Sequence, residues 1–274
     1  MAGSILEKVK GEAEYLRRKG VIPTLAIIRV GENPSDLAYE RSILKCAGVN
    51  GISVRQFLMK KSSCREEIIN AVEKINSDER IHGALLFRPL ADKAAENDVC
   101  RRLSFEKDVD GITDTSASSV FTDEETGFAP CTAKACVELL KYYNISLSGK
   151  RVTVIGRSMV IGKPVSMLLL KENATVKICH SKTADLREEC RWADIIVTAA
   201  GSPRFLDDSY VNGNQIIIDV GINVDESGKL CGDTDYDSVL PVVSGITPVY
   251  PGVGTVTTAV LMSNIIFSAK KVIS

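Results

Sequence analysis

The sequence predicts an α/β protein built from two domains with parallel sheets, and three observations support this. Hydrophobic residues alternate along the whole chain between helical and strand-like spacing. Several predicted strands are continuous apolar runs, which is typical of parallel strands covered by helices on both faces. Finally, 274 residues suffice for two domains that each bury a hydrophobic core without disulfides or metal.

The first half of the chain alternates strands with helices. The apolar residues of an N-terminal helix share one face, and Gly20 ends that helix. A β-α-β-α-β series follows. Its strands are Thr24–Val30, Ser53–Met59 and residues 83–87, and its helices are residues 35–47 and 65–76. Residues 107–130 are rich in Asp, Ser, Thr and Gly without a sustained period, which predicts a loop that crosses between the domains.

A second α/β series occupies the rest of the chain. It begins with a helix at residues 133–143 and has a helix after each of its first two strands. An apolar helix at residues 257–272 ends the series, and we expect it to pack between the domains. The predicted strands are Arg151–Ile155, Thr175–Cys179 and residues 195–199 and 215–220.

The composition excludes several classes of protein. The 34 Lys and Arg residues nearly balance the 35 Asp and Glu residues, and a net charge of −1 leaves no overall field that attracts nucleic acid or an anionic membrane. The eight cysteines form no C-x-x-C pair and there are only two histidines, so no zinc or iron site is expected. No apolar run reaches the ~18 residues of a membrane span. These features predict a cytoplasmic protein with reduced thiols.

A strand, a glycine turn and a helix follow one another at residues 151–170, which is the context of a phosphate-binding turn. Gly156 would make the turn, Gly162 would allow close packing of the helix, and Pro164 suits the first helical turn. Arg157 and Ser158 stand where the second glycine of G-x-G-x-x-G is expected. On this motif alone, an ordinary strand–turn–helix corner is as good an interpretation.

The end of the next strand favours a nucleotide site and indicates its specificity. NAD-binding sites usually carry an acidic residue there for the ribose 2′-hydroxyl, whereas this chain has Ser181 and Lys182 after His180. Together with Arg157, these side chains suit a 2′-phosphate. The sequence therefore favours NADP over NAD.

Several segments together resemble the bifunctional methylenetetrahydrofolate dehydrogenase/methenyltetrahydrofolate cyclohydrolase family. They occur in the family's order and span most of the chain, which makes the resemblance far more specific than a lone glycine motif. The segments are KDVDG at 107–111, PCT at 130–132, GRSMVIGKP at 156–164, NATVKICHSKT at 173–183, DVGIN at 219–223 and TPVYPGVGTVTT at 247–258.

The resemblance implies an N-terminal folate-side domain and a Rossmann-like NADP domain with a cleft between them. The expected boundaries give residues 1–122 and 252–274 to the first domain, with the last helix returning to it, and residues 123–251 to the second. The resemblance also implies a homodimer and a folate substrate, 5,10-methylenetetrahydrofolate.

Carried over residue by residue, the resemblance assigns two sets of site residues. On the folate side, Asp110 would hold the pterin ring, Tyr39 would stack on the folate, and Gly252 would belong to a substrate-contacting loop altered at several neighbouring positions. On the cofactor side, the resemblance implies the dinucleotide loop Gly156, Arg157 and Ser158, the 2′-phosphate residue Ser181, and Ile222 as a backbone contact near the nicotinamide.

Two positions depart from the family pattern. The family motif Y-x-x-x-K has its cyclohydrolase lysine where this chain has Ile43, and the family glutamine in V-Q-L-P-L-P is Phe87 here. Lys45 cannot replace the lysine, because two residues turn a helical side chain by ~200°. Loss of both members of a polar pair is coherent, since either alone would be buried without its partner.

These departures predict a dehydrogenase with weak or absent cyclohydrolase activity, as in a dehydrogenase-only subgroup. Removing a hydride from the methylene carbon requires orientation but no base, whereas hydrolysis of the methenyl group requires proton transfer. Three alternatives stay open, namely a bifunctional enzyme, an inactive nucleotide-binding relative, and a dehydrogenase of the shikimate type. Arg88 is either a contact to the glutamate tail of folate or an ordinary solvated arginine.

Overall fold

A computed structural model describes residues 1–124 and 126–273 of the chain. These residues form two compact units. The first unit is discontinuous in sequence, because it consists of Met1–Cys131 together with Thr258–Ser274. The second unit is the continuous stretch Thr132–Thr257 between them.

The first unit has a three-stranded parallel sheet with its earliest strand in the centre. Strand β1 (Thr24–Val30) pairs on one side with β2 (Ser53–Met59) and on the other with β3 (Gly83–Leu86). The run TLAIIRV in β1 is buried almost throughout, as expected for a central parallel strand. Two predicted strands thus have the predicted bounds, and β3 ends one residue earlier than expected.

Three helices in this unit begin at side-chain caps. The Asn33, Asp92 and Thr113 side chains each accept a hydrogen bond from a backbone N–H in the first turn of the helix that follows. Aliphatic residues of β1, β3 and two helices form the core cluster around Ile28, Val72 and Val99. The helices are α1 (Ala2–Arg18), α2 (Pro34–Val49), α3 (Arg65–Ser77), α4 (Lys93–Arg102) and α5 (Asp114–Thr122).

The last two of these helices correct the sequence analysis. α4 was not predicted, because its sequence KAAENDVCRR is polar and buries only Ala95 and Val99. α5 lies within the predicted loop at residues 107–130. Its buried residues are Ser116 and Ser119, so its inward face is polar and gives no hydrophobic period.

The stretch after α5 also packs against the first unit. The backbone N–H of Gly127 donates a hydrogen bond to the Ser119 hydroxyl. A Cβ on Gly111 would lie 2.6 Å from the carbonyl oxygen of Phe128, so the two chain segments run in close contact there. These contacts explain why the first unit extends to Cys131, beyond the boundary expected at residue 122.

The second unit has a five-stranded parallel sheet. The strands are β4 (Arg151–Ile155), β5 (Thr175–Cys179), β6 (Ile195–Thr198), β7 (Ile216–Asp219) and, after a short hairpin of β8 (Asn223–Val224) and β9 (Leu230–Cys231), β10 (Gly245–Ile246). Their order is β10-β7-β6-β4-β5. β5 therefore lies on one side of β4, and the strands that follow β5 are added on the other side. In such sheets ligands bind at the carboxyl ends of the strands near the reversal point.

Four helices accompany this sheet, and a helix follows each of its first two strands, as predicted. α6 (Cys131–Tyr142) begins two residues before the predicted helix. The helices α7 (Gly162–Lys171), α8 (Leu186–Trp192) and the single turn α9 (Tyr236–Val239) follow. A cluster around Ile196, Leu206 and Val239 forms part of the core of this unit.

The last helix, α10 (Val253–Lys270), is longer than predicted. Among the described helices it alone is long and apolar enough to span a membrane, but 72% of this stretch is buried inside the protein. The sequence shows no uninterrupted apolar run of this length, because Thr257, Thr258 and Asn264 lie within the helix. All three are themselves buried, which is typical of a core helix.

Candidate active site

Tyr39 lies in a cluster of side chains in the first unit. It stands on α2, and its ring meets the ring of Phe87 edge to face, with centroids 5.6 Å apart. The Tyr39 hydroxyl is hydrogen-bonded to the Thr258 side chain from α10. Burial and the nearby negative charge of Asp110 raise the pKa of Tyr39 above its ordinary value. Tyr39 is therefore a neutral phenol at physiological pH, and 37% of its surface is exposed.

The two positions that depart from the family pattern are both apolar and buried. Ile43 follows Tyr39 by one turn of α2 and is 0% exposed, and Phe87 at the end of β3 is 6% exposed. Lys45 is exposed, as its helical position predicts. Neither Ile43 nor Phe87 can transfer a proton, and neither leaves a polar group without a partner.

The loop after residue 107 is fixed by the carboxylate of Asp108, which is fully buried. A buried carboxylate is stable only when hydrogen bonds replace its lost water. Asp108 accepts such bonds at 2.6–2.8 Å from the backbone N–H groups of Ile112 and Thr113 and from the hydroxyls of Thr113 and Ser116. The loop that carries Asp110 is consequently anchored to the start of α5.

Asp110 is an ionisable group whose surroundings disfavour its charge. Burial raises its pKa to about 6, although the positive charge of Arg88 opposes this rise. Asp108 adds to the rise, while hydrogen bonds from the Cys131 side chain and backbone N–H lower the pKa. Asp110 is therefore mainly ionised at neutral pH. Arg88 thus has a neighbour that its sequence position did not suggest. The positive charge of its guanidinium lowers the pKa of Asp110.

In the second unit, the turn between β4 and α7 is as tight as the sequence predicts. Gly156 has φ = +136°, and a Cβ there would overlap the carbonyl of Ala199. A Cβ on Gly162 would overlap the carbonyl of Gly156, so the start of the helix rests directly on the end of the strand. This close approach of backbone to backbone is a cradle that suits the phosphates of a dinucleotide.

Ser158 organises this loop from within. Its hydroxyl accepts a hydrogen bond from the Ile161 N–H at 3.1 Å, and its carbonyl accepts one from the Lys163 N–H at 3.0 Å. Two donors near the start of α7 are thus already bonded inside the loop. These two N–H groups are therefore not free to donate to a phosphate.

Ser181 and Lys182 lie at the same end of the sheet as this loop. β4 and β5 are parallel neighbours, and the Gly156 N–H donates to the carbonyl of Cys179 at 2.9 Å. The turn after β5 is closed by a hydrogen bond from the His180 N–H to the Thr183 hydroxyl. Ser181 and Lys182 are exposed on this turn, as is Arg157 on the neighbouring loop.

Asp219, the first residue of DVGIN, braces the loops at the ends of β6 and β7. It is buried, and burial raises its pKa, while hydrogen bonds to its carboxylate act in the opposite direction. It accepts hydrogen bonds at 2.8–3.1 Å from the Thr198 hydroxyl and from the backbone N–H groups of Gly221, Asp233 and Thr234.

Asp233 is a second brace, which the sequence analysis missed. Its fully buried carboxylate receives hydrogen bonds from three successive backbone N–H groups after β6 and from the Asn223 amide. The donors are Ala200, Gly201 and Ser202 at 2.7–3.1 Å and Asn223 at 2.8 Å. No hydrophobic period or spacing rule marks such a residue. The available signal was the polar stretch GDTD, in which Asp233 is one of two aspartates.

Ile222, the residue assigned to the nicotinamide side, is 68% exposed just beyond these braces. Its side chain lies 3.8 Å from where a Cβ on Gly254 would be. A Cβ on Gly252 would overlap the carbonyl of Pro248, so this turn also requires glycine. The turn before α10 thus lies beside Ile222 within the second unit.

The predicted site residues form two groups, each within its own unit. Tyr39, Phe87, Arg88 and Asp110 lie together in the first unit. In the second unit, the glycine loop, the Ser181 turn and the DVGIN loop all follow the carboxyl ends of strands in one parallel sheet.

Comparison with known proteins gives a consistent result. The tetrahydrofolate dehydrogenase/cyclohydrolase catalytic domain matches residues 1–110, and the NAD(P)-binding domain of the same enzymes matches residues 130–273. "Bifunctional protein FolD" of Carboxydothermus hydrogenoformans is 47% identical over 95% of this chain and 92% of its own length. The protein of the same name from Clostridium botulinum is 43% identical over 99% of this chain and 96% of its own length.

Solved structures agree with these matches. The bifunctional methylenetetrahydrofolate dehydrogenase/cyclohydrolase of Campylobacter jejuni has a TM-score of 0.95 at 37% identity, covering 98% of this chain and 96% of its own. The Trypanosoma brucei enzyme, described as complexed with NADP cofactor and inhibitor, has a TM-score of 0.94 at 30% identity and covers 99% and 95%.

The raised pKa of Asp110 predicts a pH-dependent cost in stability. Because the folded protein holds this proton more tightly than the unfolded chain, stability falls as pH rises from about 4 to about 6. Asp110→Asn removes the cost and should raise the free energy of unfolding at pH 8 by ~1–3 kcal/mol, with a smaller gain at pH 4. Urea denaturation at both pH values measures this. Glu14→Gln on exposed helix surface is the control, and an equal gain at both pH values would contradict the prediction.

The crowded turn between β4 and α7 predicts that Gly162→Ala weakens dinucleotide binding by at least ~10-fold, because the added methyl must displace the Gly156 backbone. Fluorescence titration with NADP measures this. Gly213→Ala is the matched control in the same unit, since its methyl would meet only ordinary contact, 3.6 Å from the Val242 carbonyl. Equal affinities for the two variants would show that the turn is not part of the binding site.

Proposed function

Because the chain belongs to the tetrahydrofolate dehydrogenase/cyclohydrolase family, we propose that it oxidises 5,10-methylenetetrahydrofolate to 5,10-methenyltetrahydrofolate with NADP and has little or no cyclohydrolase activity. One observation carries the second part of this proposal. Two buried apolar side chains, Ile43 and Phe87, occupy the positions where the family pattern has a lysine and a glutamine.

NADP fits the second unit. Gly156 and Gly162 bring two backbone segments into the close approach that a pyrophosphate requires, and Ser158 holds the loop between them. Ser181 and Arg157 are exposed beside this loop, where they suit a 2′-phosphate. Ile222 would contact the nicotinamide side. When bound, the cofactor supplies the two-electron acceptor for the reaction.

The first unit supplies what the oxidation of the folate requires. Asp110 would hold the pterin ring, and Tyr39 would stack on it with its ring fixed by Phe87 and Thr258. Oxidation leaves a positive charge spread over the two nitrogens that flank the reacting carbon. The ionised Asp110 carboxylate favours that developing charge, and no proton has to be abstracted in this step.

Hydrolysis of the methenyl product makes a demand that these residues do not meet. Water must lose a proton and a ring nitrogen must gain one, which requires a group with a pKa near neutrality. Ile43 and Phe87 have no ionisable group, and the raised pKa of Tyr39 makes its phenolate inaccessible. Asp110 titrates in a suitable range, but it is assigned to the pterin ring. These points support a dehydrogenase that releases the methenyl compound.

The alternatives remain distinguishable. The relatives named "Bifunctional protein FolD" favour an enzyme with both activities. An inactive relative would bind NADP without oxidising folate. A shikimate-type dehydrogenase would need a lysine–aspartate pair, for which Ile43 provides no lysine.

Further expectations concern location and assembly. The composition favours the cytoplasm, and the family resemblance favours a homodimer. No nucleic-acid or membrane partner is expected, in keeping with the net charge of −1. A contact between Arg88 and the glutamate tail of the folate also stays a prediction.

We expect anaerobic incubation with 5,10-methylenetetrahydrofolate and NADP to accumulate the methenyl compound, followed by its absorbance. Onward conversion to 10-formyltetrahydrofolate should not exceed the spontaneous rate, because Ile43 and Phe87 cannot take part in the proton transfers. A parallel reaction with NAD should be slower. Hydrolysis well above the spontaneous rate would establish the bifunctional alternative, and nucleotide binding without turnover would establish the inactive one.

Restoring the polar pair tests the same assignment from the opposite direction. Ile43→Lys alone places an amine at a buried position without a partner and should lower the free energy of unfolding by ~2–4 kcal/mol. Adding Phe87→Gln should recover part of that loss and produce measurable cyclohydrolase activity. Chemical denaturation and a methenyl-hydrolysis assay measure the two effects. Val49→Lys on the exposed end of the same helix is the control for an added charge.

If the double variant recovers stability but does not hydrolyse the methenyl compound, other residues limit that activity. The assignment of the cyclohydrolase loss to these two positions would then be wrong.

A further inference from the structure

A buried polar residue on α10 contacts the segment that carries Asp110. Asn264 is 3% exposed, and its amide donates a hydrogen bond to the carbonyl oxygen of Val109 at 2.9 Å. The same amide lies 3.5 Å from the sulfur of Cys131. Its neighbours Met262, Ile265 and Ile266 are almost completely buried apolar residues. A buried amide is tolerated when hydrogen bonds replace those it would make to water, so the partners of Asn264 fix its position.

Two acceptors, the Val109 carbonyl and the Asp110 carboxylate, compete for the thiol hydrogen of Cys131. The Cys131 thiol lies 3.2 Å from the Val109 carbonyl and is also within hydrogen-bonding reach of the Asp110 carboxylate. A thiol has one hydrogen, so it cannot donate to both. The amide of Asn264 has two. One satisfies the Val109 carbonyl and the other is directed at the sulfur, which leaves the thiol hydrogen for Asp110.

We propose that Asn264 is a positioning residue for folate oxidation, which acts through Val109 and Cys131 to hold the Asp110 carboxylate in its substrate-binding orientation. This inference rests on the proposed function, in which Asp110 binds the pterin ring. It adds a residue from the far end of the chain, 155 positions from Val109 in sequence, to the set on which substrate binding depends.

A purely structural role for Asn264 is the competing explanation, and α10 offers a matched control for it. Ser268 lies one turn further along the helix and is also buried. Its hydroxyl donates to the backbone carbonyl of Glu106 at 3.3 Å, so it too ties α10 to the first unit. No hydrogen bond of the described residues links Ser268 to Asp110. Loss of either side chain should therefore affect stability, but only loss of Asn264 should affect the folate site.

The experiment compares Asn264→Leu with Ser268→Ala in the dehydrogenase assay. Without the amide, the thiol hydrogen turns to the Val109 carbonyl and Asp110 loses a donor. We expect the KM for the folate to rise by ~5–10-fold, the size of one lost hydrogen bond, with the KM for NADP unchanged. Ser268→Ala should leave both constants unchanged. Equal effects of the two variants on the folate KM, or none, would overturn the inference.

The pH profile gives a readout that a structural role would not move. The charged and titratable groups that face Asp110 are Arg88, Asp108, Cys131 and Tyr39. Asn264→Leu changes only the donor from Cys131, so the acidic limb of kcat/KM should move to higher pH by ~0.5–1 unit. Ser268→Ala should leave it in place. An unshifted limb in Asn264→Leu contradicts the mechanism.

Cys131 variants complete the test. Cys131→Ser keeps a donor and should retain most activity, whereas Cys131→Ala should resemble Asn264→Leu. The double variant Cys131→Ala/Asn264→Leu should be no worse than either single change, because both act on one hydrogen bond. Additive losses would contradict the inference.

Asp110→Asn distinguishes a failure of the proposed function from a failure of this inference. If it leaves the folate KM unchanged, the proposed role of Asp110 fails. If it raises that KM while Asn264→Leu does not, only this inference fails.

Discussion

Buried carboxylates that accept backbone hydrogen bonds hold the functional loops of both units. Asp108 anchors the loop before α5, and Asp219 and Asp233 together brace the loops that follow β6 and β7. A carboxylate removed from water is tolerated only while its hydrogen-bond acceptors are satisfied, and each of these three accepts four hydrogen bonds. Moving any of these loops would leave a buried charge without partners. The loops are therefore preorganised, which suits sites that must orient two ligands.

Sequence reasoning was most successful where one physical signal decided the structure. β1, β2, β4 and β5 have their predicted bounds. The clearest case is β1, whose largely apolar run between turn residues is buried as expected of a covered parallel strand. It failed at α5, whose buried face consists of serines, and at α4, which buries little. Within the site, Ile43 and Phe87 could be identified because short motifs mark their positions. Asp233, Thr258 and Asn264 could not, since their partners are brought near only by the folded chain.

The contrast between Tyr39 and Asp110 describes the chemistry of the first unit. Burial acts on both, yet it leaves the tyrosine neutral and the carboxylate close to its titration point. Around Tyr39 the contacts are an aromatic ring and one hydroxyl, which fix the position of its ring. Around Asp110 a positive charge, a thiol and a backbone N–H act against the effect of burial. The unit thus combines a neutral phenol with a carboxylate whose charge is favoured by Arg88 and by hydrogen bonds from Cys131.

The interruption of the first unit by the second has a consequence for synthesis on the ribosome. Thr132–Thr257 is continuous, so it can fold as soon as it has left the exit tunnel. The first unit is translated first but must wait for its last segment, which carries the partners of Tyr39 and Val109. A chain released before residue 258 would retain its dinucleotide turn and lack the completed Tyr39 cluster. The first unit is therefore the last part of the chain that can complete its fold.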